Sequence, residues 1–187
     1  MEKKLTYILI PLTIAMFAIG TFWVISFTMG SVALFIPGII ISYLIYLKTF
    51  YYYSHQSDKL LTLYLLALAI QLIHFTEEYL TGFTTALPKL LGSVPYPVDY
   101  WLTFNMVAYA LFILGGIVLY KRIKEYMIIP LFFILFGVLF NGIAHVLLSI
   151  YVKGYFPGLY TALIYLVLGP VMLLRINRLG KFNSSIT

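Results

Sequence analysis

The sequence predicts an all-α, polytopic membrane bundle of about six transmembrane helices, and three observations predict it. Hydrophobic residues make up 63% of the 187 residues and charged residues 10%, which leaves too little polar surface to coat a water-soluble domain. The apolar residues fall in runs of about 20, the length a helix rising about 1.5 Å per residue needs to cross a hydrocarbon core roughly 30 Å thick. The basic residues lie at the margins of those runs and in the segments between them.

The expected spans are 5–28, 31–53, 59–80, 101–120, 127–151 and 155–174. The first follows Lys3 and Lys4 and resembles a signal peptide, with "AIG" at 18–20 as a cleavage-like site. Its apolar stretch continues through Trp23 to Phe27, so it reads as an uncleaved anchor. Thr28, Gly30 and Ser31 supply the turn into the second span, because one continuous helix would far exceed any bilayer thickness. The third span closes on "QLIHFTEEYL" at 71–80. The segment 81–100 carries Pro88, Pro95 and Pro97 among apolar Leu87, Leu90 and Leu91, and is expected to be a loop lying along a membrane interface. The fifth span contains "NGIAHVL", and the sixth begins around Pro157 and Gly158. No soluble domain and no internal repeat is visible.

Loop charge sets the expected topology. With a cytoplasmic N-terminus, Lys3, Lys4, Lys48, Lys59, Lys121, Arg122, Lys124, Arg175, Arg178 and Lys181 all fall inside, leaving Lys89 and Lys153 outside. Both termini are therefore expected in the cytoplasm and the protein in the plasma membrane. Aromatic residues agree: Phe50, Tyr51, Tyr52 and Tyr53 mark an inner boundary, and Tyr96, Tyr100 and Trp101 an outer one. The same scatter of Lys and Arg argues against nucleic acid as a partner despite the net charge of +6. The absence of cysteine excludes disulfides, cysteine nucleophiles and thiolate metal sites. His55 falls in an inner loop and reads as solvated.

Six acidic residues occur in the chain, and Glu77 and Glu78 are neighbours inside the third span. With the expected topology, His74, Glu77 and Glu78 occupy the outer end of that span, Asn105 the outer end of the fourth, and Asn141 and His145 the outer half of the fifth. Pro157 and Gly158 sit at the same level. At 3.6 residues per turn His74 and Glu78 stack on one face, Gln71 and Thr81 extend it, and Asn141 and His145 share another. A charge near mid-membrane costs at least about 2.5–3.5 kcal/mol. Two adjacent carboxylates also repel, so a shared proton, a histidinium or a metal ion is needed. A bland reading exists: interfacial carboxylates, with His and Asn as hydrogen-bonding glue between helices. Three ionisable residues within five positions, facing an Asn and His pair, favour a site.

"HFTEE" at 74–78, followed by Asn105, "NGIAH" at 141–145 and "FPG" at 156–158, resembles the HXXEE-motif family of multi-pass membrane proteins. The resemblance covers roughly 59–178 and implies a four-helix membrane core over 59–178, preceded by a two-span extension over 1–58 and followed by a short cytoplasmic tail over 179–187. It implies a metal-binding or enzymatic protein and names no substrate.

Chemistry goes further by analogy with H-x-x-E-H metalloproteases, where two ligands lie one helical turn apart and a Glu acts as base. On that analogy His74, Glu78 and His145 are metal ligands and Glu77 activates a bound water. Asn105, Asn141 and Gln71 then support, orienting ligands or polarising a substrate oxygen. Zinc suits hydrolysis, and iron or manganese suits the same ligands. The expected function is a metal-dependent, hydrolase-like membrane enzyme acting on a lipid or isoprenoid-like substrate. The alternatives are a transporter or ion-binding protein, a metal-free acid–base isomerase, and a structural partner protein.

Overall fold

A computed structural model describes residues 2–51 and 58–181 of the chain. His55, Tyr52 and Tyr53 lie outside the described residues. Among those described there is no strand, and six helical stretches are long and apolar enough to cross a membrane: Lys4–Ser26, Gly30–Lys48, Leu60–Leu80, Val98–Lys121, Lys124–Tyr151 and Leu159–Ile176. They coincide with the six expected spans. Large apolar side chains such as Phe17, Val24, Val107 and Val167 remain well exposed, as suits surfaces solvated by lipid chains.

Helix α1 (Glu2–Ser26) turns through residues 27–29 into a 3-10 turn, Gly30–Leu34, and then into α2 (Phe35–Lys48). Pro11 lies inside α1 and lacks the N–H that would bond the carbonyl four residues earlier. That carbonyl belongs to Tyr7, and the Tyr46 hydroxyl of α2 donates to it at 2.8 Å. The helical hairpin is thus tied at the point where proline opens it. The first span is the least buried of the six, with its pair partner α2 packing against the fifth span.

The remaining spans form the core around the site. Helix α3 (Asp58–Leu80) packs against α5 (Val98–Lys121). Reciprocal hydrogen bonds join them: Tyr64 donates to the Phe112 carbonyl at 2.8 Å and Tyr109 to the Leu68 carbonyl at 3.3 Å. The fifth span is composite. A 3-10 turn at Lys124–Tyr126 leads into α6 (Ile128–Phe132), then a π-helical segment, Phe133–Phe140, then α7 (Asn141–Tyr151). A π segment changes the register of everything beyond it, and such segments occur often at functional sites. Here it sets the angular position of Asn141 and His145.

Helix α8 (Leu159–Lys181) packs against α3, the π segment and α7. Two glycines permit the close approach. A Cβ at Gly142 would lie 2.8 Å from the Tyr165 Cβ, and one at Gly169 would lie 2.9 Å from the Leu139 Cα. The sixth span begins at Leu159, a few residues later than expected, because Gly158 has a φ of 90° and is not helical.

The 81–100 segment differs from a plain loop, since it contains a short helix, α4 (Phe83–Leu90). Pro88 inside it leaves the Thr84 carbonyl without its helical partner, and the Tyr96 N–H takes that carbonyl at 2.9 Å. The returning chain thereby completes the helix. Phe83, Leu87, Tyr96, Trp101 and Phe156 then pack into an apolar cap beside the histidines described next.

Candidate metal centre

Three helices, α3, α7 and α8, deliver polar side chains to one small volume. His74 and Glu78 share a face of α3 by their i,i+4 spacing, and His145 projects from α7. Glu78 Oε1 lies 3.5 Å from His74 Nε2 and 3.2 Å from His145 Nε2. All three residues are buried, and one ligand atom from each lies within 4.8 Å of the other two. The two imidazole rings are perpendicular, with centroids 4.7 Å apart.

The outer ring nitrogens have partners of their own. His145 Nδ1 is 2.6 Å from the Pro157 carbonyl oxygen, which only accepts, so Nδ1 carries the proton. His74 Nδ1 is 2.7 Å from Thr161 Oγ1, and Thr161 Oγ1 is in turn 2.6 Å from Glu77 Oε2. An ionised carboxylate also only accepts, so the Thr161 hydroxyl proton goes to Glu77 and Thr161 accepts from His74 Nδ1–H. These assignments follow from the partners. In the neutral rings both Nε2 atoms therefore present lone pairs towards Glu78. Asn141, half-buried at the start of α7, places its side-chain nitrogen 2.8 Å from His74 Nε2 and donates there.

Glu77 faces another way. Its Oε1 accepts from the Tyr155 hydroxyl at 2.8 Å and the Tyr160 N–H at 2.9 Å. Its Oε2 accepts from the Thr161 N–H at 3.0 Å as well as from the Thr161 hydroxyl. Those amides belong to the first turn of α8, whose leading N–H groups have no intrahelical partners. Glu77 thus caps α8 from α3 and sets its charge at the positive end of the helix dipole. Burial, followed by the neighbouring carboxylate, holds the Tyr155 phenol above its usual pKa, keeping it a donor to Glu77.

The supporting residues divide. Gln71 accepts from the Tyr165 hydroxyl at 2.9 Å, and the Tyr165 ring packs 5.6 Å from that of His74. Asn105, buried on α5, donates back to the Trp101 carbonyl of its own helix at 3.0 Å rather than to the histidines. Thr161, Tyr155, Tyr160 and the Pro157 carbonyl are not among the candidate residues that the sequence suggests. The one signal pointing to them is the Pro157-Gly158 pair at the same level. A Cβ at Gly158 would meet His145 Nδ1 at 2.6 Å and His74 Cε1 at 2.9 Å, so the backbone there lies directly against both rings. Phe83 and Phe156 complete the enclosure, with centroids 5.6 and 6.0 Å from the His145 ring.

No curated protein and no solved structure matches the chain. A family model described as a protein of unknown function with HXXEE motif matches residues 65–173, more than half of the chain and the whole of the site. His74, Glu77 and Glu78 stand at the motif's named positions, and the chain belongs to the HXXEE-motif family.

Proposed function

We propose that His74, Glu78 and His145 hold a divalent cation, zinc by preference, and that the protein is a membrane-embedded metalloenzyme acting on a lipid or isoprenoid-like substrate. The observation that carries this reading is the convergence of two unprotonated Nε2 atoms and a carboxylate oxygen whose spacing suits one ion. Ligand atoms about 2.1 Å from a metal and arranged tetrahedrally lie about 3.4 Å apart. The two edges at Glu78 Oε1 are 3.5 and 3.2 Å. Two neutral imidazoles and one carboxylate leave a coordination position for substrate or water, the pattern of catalytic rather than closed structural sites. Iron and manganese suit the same donors.

The charge bias of the loops supports a plasma-membrane protein with cytoplasmic termini and the His/Glu group in the outer half of the bilayer. A lipid-like molecule reaches such a depth laterally, without leaving the membrane. Hydrolysis is the reaction that a two-His, one-carboxylate zinc site serves most readily.

A second reading rests on the His145–Glu78 distance of 3.2 Å and the Asn141–His74 distance of 2.8 Å. One proton between His145 and Glu78 would satisfy every group without a metal, giving an acid–base site fit for isomerisation. Metal analysis of the purified protein separates the two. Stoichiometric zinc, iron or manganese that disappears in His74→Ala supports the metal reading, and its absence from carefully prepared wild-type protein supports the acid–base reading.

A further inference from the structure

We infer that Thr161 and Glu77 are positioning residues for His74, and that residues 157–161 at the start of α8 form one shared outer shell that sets both histidine rings. The inference rests on the proposed metal site for its effect on affinity, but not for its effect on the rings.

The support is a chain of three groups, in which the Thr161 hydroxyl also lies 3.3 Å from the Gly158 carbonyl but far closer to Glu77. Glu77 Oε2 accepts from Thr161 Oγ1 at 2.6 Å, and Thr161 Oγ1 lies 2.7 Å from His74 Nδ1. A hydroxyl has one proton and accepts readily. While it donates to a carboxylate it acts towards its other neighbour as an acceptor. Glu77 thus dictates, through Thr161, that His74 carries its proton on Nδ1 and leaves Nε2 bare. Metal-ligating histidines commonly donate their second N–H to a carboxylate or carbonyl. Here a threonine is interposed on one histidine, and the Pro157 carbonyl serves the other directly at 2.6 Å.

Both acceptors come from the same short segment, whose Gly158 backbone touches both rings. Glu77 ties that segment to α3 through Tyr155, Tyr160 and Thr161. A carboxylate engaged on both oxygens by four donors is poorly placed to take a proton from a substrate or a water. The geometry therefore favours Glu77 as a clamp over Glu77 as a base. A glutamine in its place turns one oxygen into an N–H donor. Whichever way that amide lies, it opposes donors that are already present.

The test uses full-length protein labelled with ¹⁵N-histidine, metal-free and at fixed pH, together with zinc affinity by competition. Thr161→Val removes the hydroxyl at nearly constant shape, and Thr161→Ser restores it. Wild type and Thr161→Ser should show His74 as the Nδ1–H tautomer. Thr161→Val should lose that tautomer and bind zinc about 10–100-fold more weakly, while its helical content stays unchanged. Glu77→Gln should weaken zinc by a similar factor, whereas a base would leave zinc affinity intact. Wild-type His74 found protonated on Nε2 overturns the inference without any variant, and so does wild-type zinc affinity in both Thr161→Val and Glu77→Gln. If wild type binds no metal yet the tautomer follows Thr161 as described, the metal proposal falls and the positioning role stands.

Discussion

His145 Nε2 lies 3.2 Å from Glu78 Oε1, although the other nitrogen of that ring already donates to Pro157. Two acceptors at hydrogen-bonding distance require something between them, either a proton or a cation. The two occupants respond differently to Glu78→Gln. A glutamine can donate an N–H to His145 and replace the missing proton, but it is a weak ligand for zinc. Glu78→Gln is expected to keep its helical content and lose bound zinc by at least about 100-fold, more than the roughly 10–100-fold cost of losing an outer partner. His145→Ala should match it. Unchanged metal content in both variants would remove these residues from the ligand set.

Asn141 competes for the lone pair that a metal would use, because its amide donates to His74 Nε2 at 2.8 Å. A cation bound at Nε2 must displace that hydrogen bond, freeing the amide to donate to an oxygen on the substrate side. Asn141→Ala should therefore raise zinc affinity, by about 2–10-fold if the lost bond contributes about 0.5–1.5 kcal/mol, while turnover of lipid substrate falls. Zinc competition decides it: a loss of affinity would mean that Asn141 is a ligand or an essential support.

Gly158 combines a φ of 90° with contact to both histidine rings. Gly158→Ala forces a Cβ into that contact and strains the backbone by about 1–3 kcal/mol. Thermal unfolding in detergent should shift downward, and zinc affinity should fall with it, because the rings must move. A variant that unfolds earlier but binds zinc as wild type does would show that the rings are not held by this segment.

The spans were legible because length and hydropathy suffice where the solvent is a bilayer, and they need no partner to be recognised. His74 and Glu78 were legible as a stacked pair because that relation lies within one helix. Their nearness to His145 followed from depth, which loop charges supply. Thr161 was not legible. A threonine in an apolar helix usually bonds back to its own carbonyls, as Thr76 does to Leu72 and as Thr161 itself does at 3.3 Å to Gly158, and only the packing of α8 on α3 brings Thr161 to His74 as well. The opposed direction of Glu77 was hidden for the same reason, since its partners are two backbone amides exposed by the helix start at Leu159 and two hydroxyls, of Tyr155 and Thr161, brought there by the same packing. Helix α4 was concealed by Pro88, whose orphaned carbonyl acceptor at Thr84 finds Tyr96 twelve residues away in the chain. The π segment has no signature in "FILFGVLF" that distinguishes it from an ordinary apolar helix.

Orientation decides which leaflet the His/Glu group faces, and the absence of cysteine makes it directly measurable. Ser93 is exposed in the segment after α4, and Lys121 is exposed at the opposite end of α5, so the pair brackets one span. The loop charges predict Ser93 outside and Lys121 inside. In intact cells a membrane-impermeant maleimide should label Ser93→Cys, and it should reach Lys121→Cys only after permeabilisation. Neither substitution touches the histidines, so expression and metal content serve as controls for folding. The reverse labelling pattern would carry His74, Glu78 and His145 to the cytoplasmic leaflet. Their mutual distances would stand, but entry of a lipid-like substrate from the outer leaflet would have to be abandoned.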